Sequence, residues 1–393
     1  MVTTGLEAWL SEQKHQQSLK GRIGLLCHNA SCTSDFEFAP SLFQKIYGKR
    51  LIRLFGPQHG LITDVQDNMI ESDHFTHPHF KLPVFSLYSE TRAPTDEMLD
   101  GLNTLVIDLQ DVGTRVYTYI STLALIMEKA QGKDIEIVVL DRPNPVRGDR
   151  VEGTMMDPKL QSFVGQINVP HRHGLTLGEV GHFIKKTLTP NVNYRVISMM
   201  GWQRDMDFFK TGLPWLLPSP NLPTPEGALV FAGSVLFEGT NLSEGRGTTR
   251  SLEMLGHPEI EPFEFTEKLK QSLLDADLLG QILRPVYFRP TFQKWAGRTC
   301  GGIQIHPTDS ARFRSWAVGQ MVLRDFYHHL GPAFEWNKKR YEYEEEHLAI
   351  DYINGQFALR EWVEKNGSFD ELLKIEEIGR SEFMNLREDC LIY

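Results

Sequence analysis

Short apolar runs that alternate with helix-like stretches constrain the fold of this chain more than any other feature. Each run is four to six residues long and rich in Val, Ile and Leu, as is typical of strands buried on both faces. The runs are residues 22–27, 51–55, 84–87, 104–109 and 135–140. Because strand–helix alternation produces a parallel sheet covered by helices, we predict an α/β protein with a Rossmann-like parallel-sheet N-terminal domain.

The remaining sequence is more varied. Thr176 and Glu179 have capping-box spacing, which predicts a helix to about residue 188, and residues 194–199 form another predicted strand. Residues 202–256 are rich in Pro and Gly, which favours a long irregular segment. The acidic run at 341–346 is interpreted as a solvated helix face. We predict a Rossmann-like domain over 1–240, a smaller mixed α/β C-terminal domain over 241–393, and an active-site cleft between them.

Charge and cysteine content exclude several classes of protein. The net charge of −10 over 393 residues opposes binding to nucleic acid and to anionic membranes. Four cysteines without CxxC spacing are expected to be reduced thiols. Neither a signal peptide nor an apolar stretch long enough to span a bilayer is visible in the sequence. The expectation is a cytoplasmic protein with a small-molecule partner and a homodimer as the candidate assembly.

Polar side chains follow four of the predicted strands. Ligands of open parallel sheets bind outside the carboxyl ends of the strands, so these side chains are expected to share one hydroxyl-rich ligand. The sequence lacks both G-x-G-x-x-G and the Walker motif, which removes the main support for a nucleotide cofactor; none is predicted. The side chains at the strand ends are His28, Asn29, Gln58, His59, Asp108, Gln110, Asp111, Asp141, Arg142 and Asn144.

A second group of polar residues lies in the glycine-rich segment 236–249. Glu238, Asn241, Glu244 and Arg246 occur within nine positions there, and glycines between them would let the backbone approach a ligand closely. Asn221 lies shortly before this segment. A turn held by an internal Glu–Arg pair is the alternative interpretation. No metal is predicted: neighbouring side chains of HPH and HRH lie on opposite sides of an extended chain, and convergence of the two histidines of each sequence is the less favoured alternative.

Long motifs over almost the whole chain resemble one known family, the NamZ-type exo-β-N-acetylmuramidases. The resemblance implies a cleft that removes N-acetylmuramic acid from the non-reducing end of peptidoglycan fragments during cell-wall recycling, without a cofactor. It also implies that Arg115, Arg142 or Arg246 pairs with the lactyl carboxylate and that His173 contacts substrate. The motifs include GPQHG (56–60), DLQDVGTRVYTYISTL (108–123), VLDRPNPVRGDRVEG (139–153), HGLTLGE (173–179), PSPNLP (218–223) and LFEGTNLSEGRGTT (236–249).

One position departs from the family pattern. Members commonly carry glutamate in G-P-E-H-G, where this chain has Gln58, which cannot deliver a proton near neutral pH. Glycoside hydrolysis ordinarily needs two carboxyl groups. We expect Glu238 or Glu244 to protonate the leaving oxygen, with Glu71 or Asp111 as the second carboxyl. Substrate assistance by the N-acetyl group and a non-hydrolytic sugar-binding protein are the alternatives.

Overall fold

The computed structural model describes residues 1–66 and 69–393. Among these residues, seven strands form one sheet in the order β3-β4-β2-β1-β5-β6-β7, parallel throughout except for β3 against β4. The strands are β1 (Ile23–Cys27), β2 (Leu51–Gly56), β3 (Phe75–Thr76), β4 (Pro83–Ser86), β5 (Thr104–Asp108), β6 (Glu136–Leu140) and β7 (Asn193–Ile197). The predicted Rossmann-like parallel sheet is confirmed. The two-residue edge strand β3 was not predicted, because it is too short to show a pattern.

Helices lie around this sheet and recur through the C-terminal half. They are α1 (Gly5–Ser11), α2 (Gln13–Ser18), α3 (Ala39–Tyr47), α4 (Asp96–Leu99), α5 (Tyr119–Ala130), α6 (Leu177–Thr187), α7 (Phe208–Thr211), α8 (Pro225–Ser234), α9 (Pro262–Asp275), α10 (Ser315–Leu330), α11 (Ala349–Asn354), α12 (Phe357–Glu364), α13 (Phe369–Glu376) and α14 (Arg380–Glu388).

Each strand at the centre of the sheet contributes to two hydrophobic cores. Successive side chains of a strand point to opposite faces. Val106 of β5 accordingly packs with residues of α1 and α3, whereas its neighbour Ile107 packs with residues of α5 and α6. Val138 and Val139 of β6 divide in the same way. Burial on both faces explains why these strands appear in the sequence as continuous apolar runs rather than alternating ones.

The capping box predicted at the start of α6 is confirmed. The Thr176 hydroxyl accepts from the Glu179 amide at 3.2 Å, and the Glu179 carboxylate accepts from the Thr176 amide at 2.9 Å. These bonds satisfy two backbone donors that a helix start would otherwise leave unpaired. The same threonine hydroxyl donates to Asp141 at 2.7 Å, which ties the helix to the end of β6.

A second, antiparallel sheet lies in the C-terminal half, where three strands of the described chain pair in the order β8-β10-β9. They are β8 (Met254–His257), β9 (Gln281–Phe288) and β10 (Cys300–Pro307). Helix α8 packs against α10 and β10. A Cβ added to Gly319 of α10 would lie only 2.5 Å from the Cα of Gly233 of α8, so glycine is required at this crossing. The smaller mixed α/β part predicted for the C-terminal half is confirmed.

The prediction of an irregular segment over 202–256 is wrong for residues 225–239. Thr224 accepts from the Gly227 amide at 3.0 Å and caps α8, and Pro225 occupies the first helical position, where proline is favoured. A 3₁₀ turn then extends to Gly239. Residues 227–234 are all buried, so the helix shows no amphipathic period that the sequence could have revealed.

The acidic run at 341–346 is not a helix face, and that prediction is also wrong. The Tyr341 and Glu344 backbones exchange two hydrogen bonds of 3.1 and 2.9 Å, and Glu342 and Tyr343 between them have φ of 46° and 72°. This is the geometry of a two-residue hairpin turn with both central residues left-handed. Tyr341 and Glu342 are buried, so the charge of this run does not simply face solvent.

Candidate active site

A small polar cavity of about 50 Å³ lies where the loops after β2 and β5 meet segments from the C-terminal half. A cavity of this size holds a few water molecules. A sugar ring is larger, so a bound ring would extend into the solvent-open side of the cavity or displace part of its lining. Its polar lining includes Gln58, His59, Asn221, Glu238, Arg246 and Glu342. The cavity therefore combines carboxylates, an arginine and amide side chains from distant parts of the sequence.

Gln58 and Glu342 lie side by side in this cavity. The Gln58 amide donates to Glu342 Oε1 at 3.2 Å, and the Gln58 carbonyl accepts from the Thr118 hydroxyl at 2.6 Å. The Tyr88 hydroxyl donates to Glu342 Oε2 at 2.8 Å. Each carboxylate oxygen of Glu342 thus has one fixed donor, which sets the orientation of the carboxyl group.

The Glu342 carboxyl titrates far above an ordinary glutamate. Burial raises its pKa to about 7, while the hydrogen bonds from Tyr88 and Gln58 oppose the shift and the charge of Glu238 adds to it. Arg92 acts weakly in the opposite direction. A carboxyl group with a pKa near neutrality is partly protonated at physiological pH, as a general acid needs to be.

Glu238 forms the second acidic group of the cavity. Its carboxylate accepts from Arg246 at 2.5 Å and from the Tyr341 hydroxyl at 2.9 Å. Arg246 also pairs with Glu244 at 3.2 Å, and Glu244 binds Lys294 at 2.9 Å. Lys294 and Arg246 lower the pKa of Glu244 against the effect of its burial. Glu244 therefore does not line the cavity itself but orients Arg246, which does.

His59 and Asn221 complete the polar lining. His59 has φ of 69°, an uncommon conformation for a residue other than glycine, and its Nδ1 lies 2.9 Å from the Val65 carbonyl oxygen. Burial lowers the His59 pKa to about 4, so the imidazole is neutral near pH 7. The Asn221 amide donates to the Gln66 carbonyl and accepts from the Ser251 hydroxyl at 3.1 Å.

Several predicted ligand-binding residues instead bond to one another beneath the ends of β1, β5 and β6. Arg142 forms two hydrogen bonds to Asp108, of 2.6 and 3.0 Å, and both side chains are buried. The His28 ring nitrogen Nε2 accepts a hydrogen bond from the backbone amide of Gln110 at 3.0 Å. A separate cavity of about 20 Å³ lies beside Gln110 and Arg142. The structure therefore does not bring these residues to the Gln58–Glu342 cavity.

Asp141 and Asn144 also serve the fold. Asp141 accepts from the Thr176 hydroxyl and from the Gly178 amide at 2.8 Å, while burial raises its pKa to about 6. Asn144 donates to the Leu175 carbonyl at 2.9 Å and accepts from the Val146 amide at 3.0 Å. Both side chains hold the β6–α6 region together.

The other predicted residues lie at separate places. Arg115 is fully buried among backbone carbonyls, and Asp111 lies 3.9 Å from His173, whose pKa burial lowers to about 3. Asn241 donates to the Ala333 carbonyl at 2.9 Å. The further positions are Asn29, exposed at the end of β1, and Glu71, exposed beside Arg92 and Tyr343.

Sequence reasoning missed Glu342, Tyr341, Tyr88 and Thr118 at the cavity. Tyr88 directly follows the predicted strand at 84–87, and Thr118 lies inside the 108–123 motif, but neither residue was singled out. The sequence Tyr-Glu-Tyr at 341–343 contained a signal, because aromatic residues on both sides of an acid are unusual for a solvated helix face.

No helix within residues 1–66 and 69–393 is both long and apolar enough to cross a membrane. Across the same residues, no three His, Cys, Asp or Glu side chains are grouped so that they could hold a metal ion.

An α/β sheet whose loops enclose buried carboxylates, amides and an arginine defines a protein that binds a polar small molecule. Comparison with known sequences identifies the group. Residues 23–226 match the family described as "Exo-beta-N-acetylmuramidase NamZ, N-terminal", and residues 229–393 match "Exo-beta-N-acetylmuramidase NamZ, C-terminal". This chain belongs to the exo-β-N-acetylmuramidase NamZ family, so the resemblance seen in the motifs is confirmed.

A relative and two solved structures agree with this assignment. The chain is 36% identical to peptidoglycan β-N-acetylmuramidase NamZ of Bacillus subtilis, over all of this chain and 91% of that protein. The crystal structure of a DUF1343 family protein from Bacteroides fragilis has a TM-score of 0.89 at 28% identity, covering 100% of this chain and 99% of the other. A second DUF1343 protein from that organism shares the fold, with a TM-score of 0.71 at 23% identity and the same coverages.

Proposed function

We propose that this protein is a glycoside hydrolase that releases N-acetylmuramic acid from the non-reducing end of peptidoglycan fragments. The carrying observation is that two carboxyl groups, Glu238 and Glu342, line one polar cavity. Glycoside hydrolysis uses such a pair on the two sides of the scissile bond. Membership of the NamZ family and 36% identity to the Bacillus subtilis muramidase support the choice of substrate.

The cavity favours Glu238 as the charged member of the pair. Arg246, which carries a permanent positive charge, forms an ion pair of 2.5 Å with Glu238. An ionised carboxylate stabilises the positive charge that develops on the sugar ring during cleavage. Glu244 is bonded to Arg246 and Lys294, and Glu71 is exposed beside Arg92, so neither has the environment of the second carboxyl.

Arg246 is also our candidate to recognise the lactyl carboxylate. Of the three arginines considered, it is the one that lines the cavity. Arg142, which is bonded to Asp108, and Arg115, which is bonded to backbone carbonyls, do not line this cavity. Arginine suits carboxylate recognition because its planar donors match the two oxygens.

Two disaccharides test the proposal. The protein is incubated with N-acetylmuramyl-β-1,4-N-acetylglucosamine and, as the matched control, with the N-acetylglucosamine disaccharide that lacks the lactyl group. We expect monosaccharide to appear from the first substrate at least tenfold faster than from the second. Equal rates would contradict recognition of the lactyl group. Binding of the first disaccharide without release would identify a non-hydrolytic sugar-binding protein, the alternative that Gln58 motivates.

We further propose that the protein acts in the cytoplasm, on wall fragments that are being recycled. The free state of all four cysteines supports a reducing compartment. Cell fractionation with an antibody against the protein tests the location. A homodimer and the absence of nucleic-acid binding stay predictions, which sedimentation and a binding assay with duplex DNA would check.

A further inference from the structure

The Gln58–Glu342 pair raises the question of which group protonates the leaving oxygen, if the proposed hydrolysis is correct. Gln58 cannot ionise. Its amide is held between the Thr118 hydroxyl and the carboxyl of Glu342, so it acts as a donor and an acceptor within the cavity wall. Glu342 is 5% exposed, lines the cavity and presents a carboxyl group whose orientation two donors fix.

We propose that Glu342, delivered by the hairpin turn at 341–344, is the general acid that protonates the leaving glycosidic oxygen. The inference rests on the proposed function and adds a residue to it. Nothing in the family match assigns a role to this position.

The backbone at Glu342 supports a functional role. Both central residues of the turn adopt left-handed conformations, with φ of 46° and 72°, which side chains other than glycine and asparagine rarely adopt. Such strain persists where surrounding contacts hold it, and it clusters at functional sites. Here contacts hold both central side chains: Glu342 accepts hydrogen bonds from Tyr88 and Gln58, whereas Tyr343 donates to the exposed Glu71 at 2.8 Å.

The charged and titratable neighbours of Glu342 favour its protonated form near neutrality. Burial raises its pKa to about 7, and Glu238 across the cavity adds to that effect. Arg92 opposes it, as do the hydrogen bonds from Tyr88 and Gln58. The hydroxyls of Tyr341 and Tyr343 stay protonated, since the pKa of each is raised. A group poised in this way can give up a proton and take one back within a single turnover.

The Glu342 carboxyl proton passes to the glycosidic oxygen while the bond between that oxygen and the anomeric carbon breaks, and the bonding electron pair stays on the oxygen. Water adds its oxygen to the anomeric carbon and returns one proton to the Glu342 carboxylate. The products are the released sugar and a shortened fragment with a free hydroxyl.

Two substrates with different leaving groups test this step. The muramyl disaccharide has a sugar alcohol as leaving group and needs protonation, whereas a 4-nitrophenyl muramic-acid glycoside needs little. We expect Glu342→Gln to lower kcat/KM for the disaccharide by about 10²–10⁴-fold, the usual contribution of a general acid, and to lower it far less for the nitrophenyl glycoside. Glu345→Gln, in the same segment but exposed, is the matched control and keeps both activities.

The pH profile separates an acid from a residue that only shapes the cavity. For the wild type we expect kcat/KM on the disaccharide to fall as pH rises through about 7, because the acid must be protonated. Gln58→Glu places a second carboxyl beside the first, the two share a proton, and the alkaline limb moves to higher pH. The exchange variant Gln58→Glu with Glu342→Gln keeps one carboxyl and one amide in the pair and is expected to regain part of the lost disaccharide activity.

Each outcome decides between the possibilities. Equal losses on both substrates in Glu342→Gln, with muramic acid still bound in calorimetry, would overturn the role as acid while leaving the proposed function intact. Unchanged disaccharide turnover in that variant would overturn it as well. A wild-type protein that cleaves neither substrate would overturn both proposals together.

Discussion

The buried ion pair Asp108–Arg142 leads to a testable prediction about stability. From the sequence both residues were expected to bind substrate, whereas in the structure they bond to each other. Asp108 is fully buried and Arg142 is 7% exposed. The guanidinium reaches both carboxylate oxygens, at 2.6 and 3.0 Å, and donates once more to the Cys32 carbonyl at 3.0 Å. Such a bidentate pair is among the strongest polar contacts that side chains form.

The magnitude follows from what each substitution leaves behind. Arg142→Met leaves an unpaired buried carboxylate, and Asp108→Leu leaves an unpaired buried guanidinium, so each single change should lower the free energy of unfolding by about 3–5 kcal/mol. The double variant leaves neither charge. Replacing a buried pair by apolar residues of similar volume is often neutral, so we expect its stability to lie within about 2 kcal/mol of the wild type.

Urea unfolding followed by tryptophan fluorescence measures these differences, and steady-state kinetics on the muramyl disaccharide adds a functional comparison. The double variant should have a larger free energy of unfolding than either single variant. KM should also be unchanged wherever the protein is folded. If the single variants instead had wild-type stability and a raised KM, the structural role would be refuted, and Asp108 and Arg142 would be assigned to substrate binding.

Three further predictions concern other contacts. Burial raises the pKa of the Asp111 carboxyl to about 7, so the folded protein binds the carboxyl proton more tightly than the unfolded chain does. The protonated carboxyl therefore contributes stability that is fully present below about pH 4 and is lost as pH rises through 7. Asp111→Asn should therefore melt above the wild type at pH 8 and close to it at pH 4, and an equal difference at both pH values would contradict this. Gly319→Ala should cost about 1–3 kcal/mol in urea unfolding, because the added methyl meets the backbone of α8; a neutral effect would show that the helices can separate freely. Thr176→Ala should lower the melting temperature more than Ser368→Ala, since both cap a helix but only Thr176 also donates to buried Asp141; equal losses would deny that extra bond any effect.

The strands and the helix cap at Thr176 were predictable because their signals are local. The apolar runs that became β1, β2, β5 and β6 need only a window of a few residues, and burial on both faces made them unambiguous. The capping box at Thr176 likewise needs four residues. Helix α8 escaped prediction because its uniformly apolar sequence follows a run of prolines, which normally indicates irregular structure.

The site was harder to predict, since it depends on which polar groups satisfy one another. Side chains after β1, β5 and β6 point to the same sheet edge, as expected, yet Asp108 and Arg142 neutralise each other there. Glu342 meets Gln58 across 284 positions of sequence, through a turn whose left-handed residues are Glu and Tyr rather than the Asn and Gly that usually mark it. No short-range pattern encodes such a meeting.

Arg115 bears on how a sugar could enter. Its guanidinium donates to the carbonyls of Thr154 and Val169 at 3.0 and 3.1 Å, and to those of Ile353 and Asn354 at 3.1 and 2.8 Å. Hinging the C-terminal helices away from the first half would strip a buried cation of two acceptors, which is costly. We therefore expect the two halves to move as one rigid body, with entry governed by the short turn at 341–344, and small-angle scattering to show the same radius of gyration with and without muramic acid.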